Sequence, residues 1–197
     1  MSDEETLRIY AAQAHDYAKL TRTDADSPDL AAFLAFLPQG AHVLDLGCGP
    51  GQCAAHMAQH GCRVEATDAS PEMIALASAH RGVCARCEVF DDLDAVNRFD
   101  GVFANFSLLH AARKDVPRHI AQIAQALKQG GIFHIAMKTG IGQSRDGIGR
   151  RYSYFCEAEL EEMITMNGLD VIRRNHGAGI GLSGEIADWV VLQSRKL

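Results

Sequence analysis

The spacing of apolar positions changes several times along the chain, and each change marks an element. Leu7, Tyr10, Ala11, Ala14 and Tyr17–Ala18 recur at steps of three and four, which predicts a helix over residues 3–20. The polar stretch Thr21–Ser27 breaks that pattern. Ser27-Pro28-Asp29 then places a capping side chain before a proline at the first helical position, a helix start. Leu30–Leu37 forms the second predicted helix, and Pro38-Gln39-Gly40 ends it.

From residue 41 short apolar runs alternate with helical periods. Strands are predicted at Ala41–Leu46, Cys62–Thr67, Ala85–Phe90, Phe99–Ala104 and Ile132–Met137. Helices are predicted at Gly51–Gln59, from Ser70-Pro71 to about His80, at Val116–Leu127 and at Cys156–Asn167, with Lys128–Gly131 as a closing turn. Leu169–Asn175 and Ala187–Gln193 read as two last strands joined by a turn rich in glycine (Gly177, Gly179, Gly181, Gly184). Alternating strands and helices imply an α/β fold: a doubly wound sheet of about seven strands, mostly parallel, with helices on both faces. The last two strands have no helix between them, so the C-terminal strand should run antiparallel. The whole of 1–197 reads as one domain, with residues 1–27 as an N-terminal helical lid.

Composition narrows the possible partners. The 197 residues are 47% hydrophobic and 22% charged, with a net charge of -6. That balance suits a packed core and not a disordered chain. Nucleic-acid binding draws on a basic face, and the doublets Arg150-Arg151 and Arg173-Arg174 read as solvated surface, so no nucleic-acid partner is expected. The opening MSDEETLRIY lacks the pattern of a signal peptide, and no apolar run approaches the roughly 20 residues that cross a bilayer. A cytoplasmic location and no membrane partner are the expectations. The six cysteines are then free thiols. Cys84 and Cys87 form a lone C-x-x-C without the second pair that a zinc site uses; no metal is expected, and buried thiols in or beside a strand are the reading.

The chemistry concentrates in Val43-Leu44-Asp45-Leu46-Gly47-Cys48-Gly49-Pro50-Gly51, where an apolar strand runs through a glycine loop into a helix. Such a loop turns sharply and lets a ligand approach the backbone, at the carboxyl ends of the strands where open α/β sheets bind ligands. A dinucleotide loop reads G-x-G-x-x-G; here the third glycine comes one residue early. Asp68, about 20 residues past the first glycine, ends the second strand, where a carboxylate can accept both hydroxyls of a ribose.

The compact spacing resembles the first motif of class I S-adenosylmethionine-dependent methyltransferases, a Rossmann-like family. Other segments are similar too: Phe99–His110 to its fourth strand, Leu127–His134 to the turn before its fifth. Arg151–Leu160 and Asn167–Val171 resemble late segments of small-molecule methyltransferases such as those of quinone biosynthesis. The resemblance implies S-adenosylmethionine as cofactor, S-adenosylhomocysteine as product, and a cofactor-contacting set of Tyr17, Asp45, Gly47, Cys48, Gly49, Gly51, Asp68, Ala69, Met73, Asp91, Asp92, Leu93, Asn105 and Phe106. Within it the loop contacts the methionine part, and Asp45 is linked to the amino-acid end directly or through the loop. Met73 packs on adenine or simply in the core. A carboxylate from Asp91 or Asp92 takes the adenine amino group, with a neighbouring N–H for a ring nitrogen; Asp91 is the choice.

Methyl transfer needs a nucleophile held in line, a water-free site and, for some acceptors, a base. His110 and Tyr152 are the candidate catalytic residues, and Arg151 and Tyr154 the candidate substrate contacts; each also has a packing or capping reading. Asn105-Phe106-Ser107-Leu108 lacks the Asn-Pro-Pro-aromatic run of amino-methylating nucleic-acid enzymes, and no cysteine lies between Cys87 and Cys156 for the cysteine-dependent RNA enzymes. The paired glutamates of protein-arginine enzymes are not found either. A small-molecule acceptor is the expectation. A nicotinamide-dependent oxidoreductase and a non-catalytic cofactor-binding protein stay open as alternatives.

Overall fold

The computed structural model of the chain describes residues 3–21 and 26–197. Two N-terminal helices come first, α1 (Glu4–Ala12) and α2 (Ala14–Leu20), followed by α3 (Pro28–Ala35). Then β1 (His42–Leu46), α4 (Gln52–Gln59), β2 (Arg63–Asp68), α5 (Pro71–Ala77), β3 (Val83–Cys87) and β4 (Phe99–Asn105) alternate. The remainder comprises α6 (Val116–Ala126), β5 (Leu127–Lys138), a small hairpin of β6 (Gln143–Arg145) and β7 (Arg151–Ser153), α7 (Glu157–Met166), and the long strands β8 (Leu169–Ile180) and β9 (Ile186–Lys196).

The main sheet has seven strands in the order β3-β2-β1-β4-β5-β9-β8. Strands β1 to β5 pair in parallel, while β9 is antiparallel to both β5 and β8. Six strands therefore share one direction, and β9 alone runs against them. Neighbouring residues of each central strand face opposite layers. Val43, Val64, Ala66, Phe103 and Ile132 pack against Leu30 and Phe33 of α3 and Ala54 and Met57 of α4. Leu44, Val102, Ala104, Phe133 and Ile135 pack against Ile120 and Ile123 of α6 and Leu160 and Ile164 of α7. The order reverses between β1 and β4, so a crevice opens beyond their carboxyl ends, the place where such sheets bind ligands. No described helix is long and apolar enough to cross a membrane.

Several features differ from the sequence reading, among them the buried Arg150 of a doublet read as solvated surface and a third strand that ends at Cys87. The single helix expected over 3–20 is broken at Gln13, which leaves helical geometry at φ -115° and ψ 15°. The glycines expected to form the last turn partly lie in β8: a side chain at Gly177 would meet the Trp189 ring 2.3 Å away, so glycine there admits the indole of β9. The turn expected at Lys128–Gly131 falls inside β5, which starts at Leu127 and pairs with β4 through a register shift. Finally, Cys84 and Cys87 are exposed on edge strand β3, not buried. Three residues apart on a strand, they also project to opposite faces.

Candidate functional site

The Gly47–Gly51 turn is held by the strand beside it. Thr67 O accepts from the N–H groups of both Gly47 (2.7 Å) and Cys48 (2.9 Å), and Asp68 accepts from Gly49 N (2.9 Å) and Ser70 N (2.9 Å). The three glycines have positive φ but different surroundings. A side chain at Gly47 would strike Ser107 at 2.3 Å, and one at Gly51 would strike Ala77 at 2.8 Å, so these two serve close packing. One at Gly49 would meet only the Tyr17 ring, at 3.5 Å, across open space. Gly49 is where the loop backbone itself faces open space.

That space is a cavity with about 870 Å³ of empty volume, its open mouth and adjoining solvent included. Its walls come from every layer. Glu88, Phe90 and Asp91 follow β3; Asp68, Ala69 and Met73 follow β2; Gly47 and Gly49 follow β1. Asn105, Phe106, Ser107 and His110 follow β4, and His119 comes from α6. Asp3, Thr6, Leu7, Tyr10 and Tyr17 of the two N-terminal helices cover it. Phe106 sits at φ +52°, a left-handed conformation that a bulky side chain adopts only under constraint.

Two carboxylates dominate the electrostatics. Burial raises the Asp68 carboxyl above its ordinary pKa, although the backbone N–H groups of Ser70 and Gly49 oppose the shift. Asp45 lies beneath the loop at 3% exposure, and its Oδ2 has no hydrogen-bond partner among the described residues. Burial, with the Asp68 carboxylate adding to it, pushes Asp45 up to about 7. The Ala54 backbone N–H opposes that shift, and one buried oxygen of the carboxyl is left without a donor beneath the loop.

The N-terminal helices that cover the cavity are held by one hydrogen-bonded chain. Arg150, 2% exposed, binds Asp146 through Nε (3.0 Å) and Nη2 (2.7 Å) and donates from Nη1 to the Tyr10 hydroxyl (2.7 Å). Nδ1 of His110 lies 2.8 Å from the Arg151 carbonyl, which only accepts, so Nδ1 carries the proton. The bare Nε2 then accepts from the Tyr10 hydroxyl at 2.8 Å. Burial lowers His110 to about 4, so the ring is neutral near pH 7. Further ties join Asp3 to Arg145 (2.9 Å) and Thr6 Oγ1 to Arg151 N (2.9 Å).

Of the residues nominated from sequence, Tyr17, Gly47, Gly49, Asp68, Ala69, Met73, Asp91, Asn105, Phe106 and His110 line this one cavity. Asp91 and Asp92 are told apart: Asp91 faces the cavity and pairs with Arg118, while Asp92 turns back to accept from Val89 N at 2.9 Å. Asp45, Cys48 and Gly51 support the loop from behind, and Leu93 packs in the core beside α6. The candidate substrate contacts lie outside. Arg151 donates to His110 O (3.2 Å) and sits near Asp3, and Tyr154 packs over Gly140 with its hydroxyl against Ser144. Tyr152 is 3% exposed behind Tyr10, its ring under the Lys138 ammonium, and burial drives its phenol pKa up. Neither it nor His110, whose two nitrogens are both engaged, offers a free base to the cavity.

Among the lining residues that the sequence reading did not nominate are Glu88, Phe90, Ser107 and His119. Glu88 carries the same signal as Asp68, an acid just past a strand end; the other three have none, because only packing brings them in.

A family model described as a methyltransferase domain matches residues 43–131. A magnesium-protoporphyrin O-methyltransferase of Rhodobacter capsulatus is 28% identical over 75% of this chain and 68% of its own length. A ubiquinone biosynthesis O-methyltransferase of Nitrobacter winogradskyi is 34% identical over 48% of this chain, which spans only 37% of that relative. Among solved structures, a 1,6-didemethyltoxoflavin-N1-methyltransferase of Burkholderia thailandensis, bound to 1,6-didemethyltoxoflavin and S-adenosylhomocysteine, superposes with a TM-score of 0.80. It is 26% identical, with 98% of this chain and 88% of that one covered.

Proposed function

Because the chain belongs to the class I S-adenosylmethionine-dependent methyltransferases, we propose that its cavity binds S-adenosylmethionine and that a small-molecule acceptor takes the methyl group beneath the N-terminal lid. The observation that carries this reading is the pairing of Asp68 with the open side of Gly49 above the unpartnered Asp45 oxygen. A carboxylate for a sugar, a bare backbone for close approach and a buried acid for a cation suit a sulfonium nucleoside with an amino-acid tail. They suit a pyrophosphate poorly, since a buried carboxyl beneath the loop would repel it.

Asp68 takes the ribose hydroxyls. Met73, 2% exposed, and Phe90 supply apolar walls for the adenine, with Asp91 and Glu88 at its polar edge. Asp45, behind the loop, favours the positive end of the amino-acid tail through the loop rather than by contact. When bound, the cofactor supplies an electrophilic methyl group on sulfur. The protein's part is alignment and exclusion of water. Tyr10 and Tyr17, edge to face at 5.1 Å, close the roof, and Phe106 forms the wall beyond Asn105. These rings suit an acceptor with a flat apolar face. The neutral His110 spends both ring nitrogens on Tyr10 and the Arg151 carbonyl, so the acceptor brings an atom that is nucleophilic without a proton taken by this histidine.

Calorimetric titration tests the reading. S-adenosylmethionine and S-adenosylhomocysteine should bind at one site per chain and NADH should not compete; binding of NADH alone would overturn it.

A further inference from the structure

A chain of buried polar groups runs from the far side of the sheet to the cavity wall. Gln193 of β9 lies with its Nε2 2.7 Å from Asp29 O and 3.1 Å from His134 Nδ1. His134 of β5 lies with its Nε2 3.2 Å from Asn105 Oδ1. Gln193 and His134 are both 0% exposed, and the imidazole is stacked on Phe103 at 4.1 Å, so neither side chain has room to turn.

The direction of every bond follows from its first member. A backbone carbonyl only accepts, so the Gln193 atom against Asp29 O is the amide nitrogen. That nitrogen donates its second hydrogen to His134 Nδ1, which is therefore bare. The proton of the neutral ring sits on Nε2 and is donated to Asn105 Oδ1. With its oxygen taken, Asn105 turns its NH2 to the cavity, where it has no partner among the described residues.

We propose that His134 is a positioning residue that locks Asn105 as a hydrogen-bond donor to the cavity, and that the carboxylate of the cofactor's amino-acid end is the oxygen it receives. The assignment rests on the cofactor reading above. Adenine lies toward Glu88 and Asp91 past β3, and the ribose at Asp68 past β2. The amino-acid tail then points toward the end of β4, where Asn105 stands. Burial also holds His134 down to about 3, so the ring stays neutral across the working pH range.

Calorimetry on the full chain with two ligands tests the proposal: S-adenosylhomocysteine, and the analogue that lacks only its carboxylate. Wild type should prefer the complete ligand by about tenfold or more, the usual effect of a hydrogen bond to a charged group. Asn105→Asp should abolish that preference, and His134→Phe, which keeps a ring on Phe103, should reduce it severalfold. Gln193→Glu reverses the chain without touching the cavity: protonated in its buried place, it donates its hydroxyl to Asp29 O, accepts from Nδ1, leaves Nε2 bare and turns the Asn105 oxygen inward, so it too should lose the preference. Equal affinity of wild type for both ligands, or variants that weaken both ligands equally, would overturn the proposal. Nitrogen-15 spectra of the ligand-free protein separate it from the cofactor reading. They should show His134 protonated at Nε2 alone from pH 5 to 8, and the opposite tautomer would overturn it even where S-adenosylhomocysteine binds.

Discussion

At the scale of single residues, the site is built by withholding partners as much as by supplying them. Asp68 already holds two backbone N–H groups, so its remaining lone pairs are oriented before any ligand arrives. Asp68→Ala should therefore weaken S-adenosylhomocysteine binding by about 1–3 kcal/mol in calorimetry. Asp45 predicts a pH dependence with a defined sign. Its carboxyl is raised to about 7 in the ligand-free protein, whereas a cationic ligand favours the carboxylate. Affinity for S-adenosylmethionine should thus rise as pH climbs through about 7, and Asp45→Asn should bind weakly and without that dependence. Stability of the ligand-free protein runs the other way. The folded state keeps a proton that the unfolded chain releases near pH 3.9. The stability contributed by Asp45 is complete below that pH and is lost as pH rises to about 7.

Elements decide access to the cavity. The lid helices α1 and α2 are short, and isolated helices of this length are marginal in water. Their position comes from the latch through Tyr10 and from Asp3 and Thr6. Tyr10→Phe keeps the ring and removes the hydroxyl that joins Arg150 to His110. It should loosen the lid by about 1–3 kcal/mol, seen as faster hydrogen exchange in residues 4–20 with the sheet unchanged. Deleting residues 1–20 should weaken cofactor binding sharply; unchanged affinity would remove the lid's role. The latch itself could not be read from the linear pattern. Residues 139–150 carry no strong period, and the β6–β7 hairpin that presents Arg150 is held by pairing across its strands.

Across the whole molecule, one buried carboxylate ties the parallel half of the sheet. Glu65 in β2 is 3% exposed and receives His42 Nε2 of β1 (2.7 Å), Arg86 of β3 (2.9 Å) and Arg98 ahead of β4. Burial alone would raise its pKa, but the three donors outweigh that and hold the carboxyl below its ordinary value. A depressed carboxyl contributes stability above the unfolded value of about 4.3, and that contribution is lost as pH falls through the folded value. Glu65→Gln should lower stability in urea by about 1–3 kcal/mol near neutral pH and flatten the acid limb of the curve.

Much of this was legible in the linear order of residues, because its causes are local. The alternation from Val43 to Asn167 decides strand and helix, since burial of one face depends only on period. The Gly47–Gly51 spacing and the acid at Asp68 mark the site, since a sharp turn and a strand end are properties of a few adjacent residues. Chain folding alone settled the rest. Nothing near His110 says that Tyr10, a hundred positions away, occupies its Nε2. Adjacency does not tell Asp91 from Asp92; the turn that caps Val89 does. Arg151 and Tyr154 are credible substrate contacts as residue types, yet packing spends one on the lid and the other on a hairpin. A side chain's chemistry is written in its type, but its availability depends on which distant groups have already taken its hydrogen bonds.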